Sequence, residues 1–404
     1  MKWTPQIRDF IAAHQNDDTA KLLFAAHRFP EVDMPFVVEQ IEARKRLRTK
    51  LPEWYANPDL IMSGRVPAEQ CSSEQTARFK RSVMGEDVHS LCDMTGGMGV
   101  DFWYMSRGLD RAIYTERQEA LCFAARHNFE VLSAAELSDN PVAKKTEIEV
   151  REGYSTEMPV PDVDVIYLDP ARRSTDGSRI YEIEDCEPDV IAWQGELLRH
   201  CRRLIVKVSP MADISRSIVR MRNVSDIYVV SVRNECKELL VVQQSSSQDV
   251  PIRMHCIDFL PQRTISFDYE LTQEPAALNL SGVSEMNFLY EPDVSIMKAQ
   301  AFSPLMMQFA VSALDHDSHY FTSQMLFEDF PGRVFVIDEV LPFSSKLLKQ
   351  LKKTMPKANI ATRNFPLSPE EIKQRTGIHD GGEVYLFGAT HHEAGPLLFR
   401  CHKI

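Results

Sequence analysis

The spacing of hydrophobic and polar positions changes along the chain, and the changes divide it. Up to about residue 80 the apolar residues recur every three or four positions: Ile7, Phe10 and Ile11, then Leu22, Leu23 and Ala26, then Val37, Val38, Ile41 and Leu47. That period predicts a helical N-terminal region over 1–80. Beyond it, short apolar runs at 91–93, 112–114, 146–150, 163–168 and 204–210 alternate with helical stretches at 102–107 and 119–132. Strand and helix in alternation predict an α/β domain over 81–275 built on a doubly wound parallel sheet. Residues 227–232 and 238–243 follow without a helix between them, as an antiparallel hairpin. Two more alternating runs, 252–259 and 263–269, either extend that sheet or begin another.

The rest reads as smaller α+β structure. A connecting segment spans 276–330, with a capped helix starting near Asp293 and running through Met297, Ala301 and Phe302. Within 331–404 we expect a strand at 333–337 and a helix at 345–353. A strand at 358–364, a Ser368-capped helix to 375 and a hairpin from 383–389 and 397–401 follow. A chain of 404 residues exceeds what one core holds, so several domains are expected.

Charge and cysteine usage narrow the function classes. The net charge of −12 argues against indiscriminate nucleic-acid binding by the whole surface, because that binding runs on phosphate neutralisation. The distribution is uneven: residues 341–404 carry ten Lys/Arg against five Asp/Glu. The eight cysteines show no Cys-x-x-Cys pair, so neither zinc spacing nor a disulfide framework is expected, and no metal site is assigned. No apolar run reaches the length of a membrane span, and the N-terminus lacks the apolar core of a signal peptide; a cytoplasmic protein is expected.

The chemistry centres on Asp93-Met94-Thr95-Gly96-Gly97-Met98-Gly99-Val100-Asp101. Three glycines in four positions after a strand make a tight turn where the backbone closely approaches a ligand. A dinucleotide loop would read Gly-x-Gly-x-x-Gly, and this one does not, so a nicotinamide enzyme is a poor fit. Glu116, 17 residues beyond Gly99, falls at the tip of the second strand, where a doubly wound fold hydrogen-bonds a ribose diol. The fourth strand ends in Asp169-Pro170-Ala171-Arg172-Arg173, placing a carboxylate at the ligand edge of a parallel sheet. Arg172 and Arg173 either hold a phosphate or base there or pair with Glu182, Glu184 or Asp185. Lys207 either faces the crevice or snorkels outward.

Taken together, Ser73-Glu74-Gln75-Thr76-Ala77, the Asp93–Asp101 loop, Tyr167-Leu168-Asp169-Pro170-Ala171-Arg172-Arg173 and Lys207-Val208-Ser209-Pro210-Met211 resemble a bacterial family of class I S-adenosylmethionine-dependent methyltransferases. The family carries a THUMP-like C-terminal domain. The resemblance implies a Rossmann-like seven-stranded sheet closed by the hairpin, and S-adenosylmethionine held by Asp93, Thr95, Gly96, Gly97, Gly99, Asp101 and Glu116. Tyr154 stands where such enzymes usually place an acid for the adenine amine. It implies Asp169, Pro170 and Arg172 as catalytic residues, and tRNA or another structured RNA as partner, methylated at a nitrogen. Amine-methylating sites usually follow the Asp-Pro with Pro-aromatic; here Ala171-Arg172 does, so the stacking surface must lie elsewhere. Carbon methylation through a cysteine nucleophile is disfavoured, since Cys186, Cys201 and Cys236 are more simply structural thiols.

Two cationic features could meet RNA. Arg44 to Lys50 puts five cations in seven residues, near Trp54 and Tyr55; it is either a solvated helix end or a phosphate patch. Lys346, Lys349, Lys352, Lys353 and Lys357, with Arg363, form the stronger candidate surface, residues 331–404 being the THUMP-like RNA-binding domain. The competing functional reading is a catalytically inactive scaffold that keeps the sheet and binds RNA or protein.

Overall fold

Capping residues set the helices of the N-terminal region. The computed structural model describes residues 3–62, 64–172, 183, 186–246, 250–271, 278–282 and 286–404. Thr4, Asp18 and Asp33 accept backbone N–H groups at the starts of α1 (Pro5–His14), α2 (Thr19–Phe24) and α3 (Met34–Leu47). Ile11, Leu22, Met34, Val37 and Ile41 close a small core among them. Three short helices follow: α4 (Pro52–Ala56), α5 (Arg65–Gln70) and α6 (Glu74–Val83), the last capped by Ser73.

The cationic run at 44–50 is largely committed to the protein itself. Arg44 is buried, and its guanidinium donates to the carbonyls of Leu60 at 2.6 Å and Pro58 at 3.0 Å. Lys45 reaches the Asp17 carbonyl, Lys50 the Glu69 carbonyl, and Arg46 pairs with Glu42. Trp54 is fully buried and offers no stacking face. Arg44, Lys45 and Lys50 thus tie loops to the end of α3, while Lys45, Arg46 and Arg48 are exposed there as a solvated helix end requires.

The α/β region follows as β1 (Ser90–Asp93), α7 (Val100–Ser106), β2 (Arg111–Glu116), α8 (Glu119–Asp139), β3 (Glu147–Glu152), β4 (Val163–Leu168), α9 (Val190–Leu197), β5 (Cys201–Val208), α10 (Ile214–Arg220), β6 (Val224–Val232) and β7 (Cys236–Gln244). Two further strands are β8 (Arg253–Phe259) and β9 (Thr264–Glu270). The sheet order is β9-β8-β6-β7-β5-β4-β1-β2-β3, which extends the expected seven strands by two. Strands β1 to β5 pair in parallel, so their C-terminal ends share one edge. Leu91, Cys92, Ala112, Ile113, Val165, Ile166, Leu204, Ile205 and Val206 bury this part of the sheet completely.

By chain contacts the protein forms two units, 1–225 with 240–249, and 226–239 with 250–404. In the second, β8 pairs parallel to β6 and antiparallel to β9. Phe267 and Cys256 pack with Ile296, Leu305 and Phe309 of two helices, α11 (Val294–Ala299) and α12 (Phe302–Phe309). One helix was expected through Phe302; Gln300 takes a left-handed conformation (φ 52°) that ends α11 and lets the chain restart. A seven-stranded sheet, in chain order β10 (Phe288–Pro292), β11 (Ser312–Ala313), β12 (Phe321–Ser323), β13 (Gly332–Pro342), β14 (Asn359–Arg363), β15 (Val384–His391) and β16 (Gly395–Lys403), runs β11-β12-β10-β13-β16-β15-β14. Helices α13 (Ser345–Thr354) and α14 (Pro369–Thr376) bury Leu347, Leu348, Leu351 and Ile372 in one cluster with Leu386 and Leu398.

Candidate active site

The glycine loop is held from beneath by the neighbouring strand β2. The Gly96 N–H donates to the Thr115 carbonyl at 2.8 Å, and the Tyr114 hydroxyl donates to the Gly97 carbonyl at 2.5 Å. The three glycines have distinct reasons. A Cβ on Gly96 would lie 2.2 Å from the Tyr114 ring, and one on Gly99 2.7 Å from Phe129. Gly97 has φ +55° and its Cβ would meet nothing nearer than the Thr95 carbonyl at 3.8 Å. Close packing thus demands glycine at 96 and 99, while Gly97 borders open space beside a backbone suited to close approach.

That space is bordered by the carboxylate of Glu116. The Gly97 N–H donates to Glu116 Oε2 at 2.9 Å, and the Gln118 N–H donates to its other oxygen at 2.9 Å, so the carboxylate at the tip of β2 is oriented by backbone. Asp93, ending β1, is 2% exposed and accepts from the Thr95 N–H at 2.8 Å. Burial pushes its carboxyl up to about 8, and the nearby Asp101 and Asp169 push in the same direction. Tyr154, after β3, is half-exposed, with the Arg117 guanidinium 5.6 Å from its ring centre and tied to Glu187 at 3.3 Å.

Asp101, in the first turn of α7, is the centre of a buried polar cluster. Ser72 and the Tyr167 hydroxyl each donate to its Oδ2 at 2.8 Å, and the fully buried Lys80 ammonium lies 3.1 Å from Oδ1. Burial opposes the charge of Asp101, but Lys80 and Lys207 outweigh it and hold the carboxyl below the usual aspartate range. Asp101 is therefore a strut between α6, α7 and β4 rather than an open ligand group.

At the ends of β4 and β5 the sheet edge is charged in both senses. Lys207 Nζ lies 2.5 Å from Asp169 Oδ2, with side chains 13% and 38% exposed respectively. The Asp169 N–H donates to Thr95 Oγ1 at 2.7 Å, fastening the Asp169-Pro170 turn to the glycine loop. Lys207 therefore faces the crevice. Ala171 and Arg172 form a two-residue ribbon with Cys186 and Glu187. The Arg172 side chain, and Arg173, Glu182, Glu184 and Asp185, lie outside the described residues.

Asp93, Thr95, Gly96, Gly97, Gly99, Asp101, Glu116 and Asp169 thus meet at one sheet edge with Lys80, Ser72 and Lys207, whose roles the sequence alone left unassigned. The signal for Lys207 was available: a lysine inside a strand buried on both faces needs a partner. On α13, Lys346, Lys349, Lys352 and Lys353, and Lys357 beyond it, are exposed. Arg363 does not join them. Its guanidinium pairs with Glu291 at 2.9 Å, donates to the His319 carbonyl at 2.9 Å and lies over the Tyr320 ring.

The strand order, the loop at the end of β1 and the acids ending β1, β2 and β4 define a class I methyltransferase fold with a THUMP-like C-terminal domain. A family model described as THUMP domain-like matches residues 332–403, and one described as a ferredoxin-like domain matches 288–331. A solved structure of a candidate methyltransferase from Porphyromonas gingivalis W83 is 33% identical, covering 100% of both chains with a TM-score of 0.89. The chain belongs to the family of that protein. A candidate class I S-adenosylmethionine-dependent methyltransferase from Listeria monocytogenes is 12% identical over 61% of this chain and 90% of that one (TM-score 0.34). A candidate RNA methyltransferase from Pyrococcus horikoshii is 12% identical over 38% and 66% (TM-score 0.26); neither distant likeness carries an argument. No curated protein matches.

Proposed function

We propose that the protein transfers a methyl group from S-adenosylmethionine to tRNA or another structured RNA. The observation that carries this is the opening at Gly97, bordered by Glu116, next to an acceptor carboxylate, Asp169, fastened to the same loop through Thr95. The residues fit the cofactor. Glu116 would receive the ribose diol, the turn at Gly97 would pass under the methionine portion, and ionised Asp93 would face its ammonium. Tyr154 and Arg117 would flank the adenine with flat surfaces in place of an acid. When bound, the cofactor supplies an electrophilic methyl on a sulfonium. The chain's own task is alignment of the attacking atom and electrostatics around it.

RNA as acceptor is supported by the exposed lysines of the THUMP-like domain, a cationic face on an otherwise acidic protein. Nitrogen methylation fits less well than the motif suggests, because Asp169 is engaged by a lysine rather than left open for an amine. The test is transfer of radiolabelled methyl from S-adenosylmethionine to total RNA from a strain lacking the gene. Label in a discrete RNA, lost in Asp169→Ala, is expected. Cofactor binding without transfer to any RNA would leave the inactive scaffold as the better description.

A further inference from the structure

The pairing of Asp169 with Lys207 bears on which atom of the acceptor is methylated. Residues 168 and 206 are register partners in adjacent parallel strands, so Asp169 and Lys207 leave the sheet edge side by side. Their 2.5 Å contact puts an ammonium and a carboxylate together where the acceptor must enter. The position is fixed, because the Asp169 backbone is bonded to Thr95 in the cofactor loop.

Charge development separates the acceptor classes. An amine nitrogen gains positive charge as its bond to the methyl forms, and loses a proton only later. An ammonium within the site opposes that charge. A hydroxyl oxygen sheds its proton as it attacks, and a carboxylate to take the proton and an ammonium to stabilise the oxygen both favour the step. The sequence after Asp169 agrees: Pro170-Ala171-Arg172 has no aromatic ring to stack on a base, and a sugar needs none. Within an RNA chain the recurring hydroxyl is the ribose 2′-hydroxyl.

Resting on the RNA methyltransferase reading above, we propose that the methylated atom is a ribose 2′-hydroxyl oxygen, with Asp169 as proton acceptor and Lys207 stabilising the attacking oxygen. In the step an O–CH3 bond forms as the S–CH3 bond breaks, and the bonding pair stays on sulfur, giving a neutral thioether. The hydroxyl proton passes to the Asp169 carboxylate and from there to water. Lys207 keeps its protons throughout.

The experiment uses full-length protein, methyl-labelled S-adenosylmethionine and RNA from a strain lacking the gene, with the product digested to nucleosides and, separately, hydrolysed in alkali. Label in 2′-O-methylnucleosides and in alkali-stable dinucleotides is expected. Lys207→Met should lower kcat at least 100-fold while the cofactor Kd changes less than threefold, and Lys207→Arg should restore part of the rate. If Lys207→Met does not fold, Asp169→Asn takes its place, with cofactor binding as the check on folding. Label on a base overturns the inference and leaves RNA methylation standing, as does a Lys207→Met variant of undiminished kcat. Absence of label in any RNA, with cofactor bound, overturns both.

Discussion

Gly97 separates ligand approach from internal packing at the scale of one residue. Gly97→Ala meets open space, so its cost to folding is confined to the left-handed backbone, about 1–2 kcal/mol. It should nevertheless weaken S-adenosylmethionine binding at least tenfold in calorimetry. Gly96→Ala drives a methyl into the Tyr114 ring and should cost more in denaturant unfolding than Gly97→Ala. Equal losses of stability in the two variants would count against this assignment. Asp93 gives a pH signature. Its folded carboxyl is raised to about 8, so its contribution to stability is complete below the ordinary aspartate range near 4 and is lost as pH rises through 8. Asp101 and Asp169 face it and add to the rise. Cofactor binding needs the ionised form against an ammonium, so affinity should climb nearly tenfold from pH 6 to 7, less steeply toward 8, and fall above it as the cofactor's own α-amino group loses its proton. Asp93→Asn should bind weakly with no such slope.

Among the elements, α6 does more than its cap. Ser73 of the Ser73-Glu74-Gln75-Thr76-Ala77 motif caps it. The helix also carries Lys80 into full burial against Asp101, and Glu74 Oε1 accepts the N–H groups of Glu53 and Trp54 at 2.9 and 3.1 Å. Breaking a buried ion pair from one side leaves an uncompensated charge. Lys80→Ala should therefore destabilise the protein by about 3 kcal/mol, and Asp101→Asn should add less than its own single-variant cost. Urea unfolding of the two singles and the double measures this; simple additivity would argue against the pair as a unit. The parallel strands were legible because each is a short apolar run bounded by turns. The interactions of Lys80 and Arg44 were not, because helical spacing shows which positions face inward but not that a cation there meets a carboxylate or a ring of carbonyls.

For the molecule as a whole, the α/β sheet and the α+β C-terminal region could be read from the alternation of patterns. That Asp93, Glu116 and Asp169 stand at three strand tips on one edge could be read from the runs that precede them. Membership of β8 and β9 could not be read, since alternation shows that a strand is half-buried but not which neighbour it pairs with. Arg363 was misleading for a similar reason: a cation near a lysine-rich helix looks like part of its surface until Glu291, distant in sequence, is placed beside it. The exposed lysines of α13 carry the RNA prediction. Replacing Lys349, Lys352 and Lys353 with alanine should weaken RNA binding across sequences and flatten its salt dependence by roughly one unit per lost phosphate contact, with cofactor affinity unchanged. An unaltered salt slope would place the RNA surface elsewhere.

The central claim is that the edge formed by Asp93, Gly97 and Glu116 holds a methyl donor, and calorimetric titration of the full-length protein with S-adenosylmethionine tests it most directly. Stoichiometric binding near micromolar, about −8 kcal/mol, abolished by Asp93→Ala and by Glu116→Ala in folded variants, is the predicted result. A folded wild-type protein that binds neither S-adenosylmethionine nor its demethylated product, with or without RNA, would contradict it.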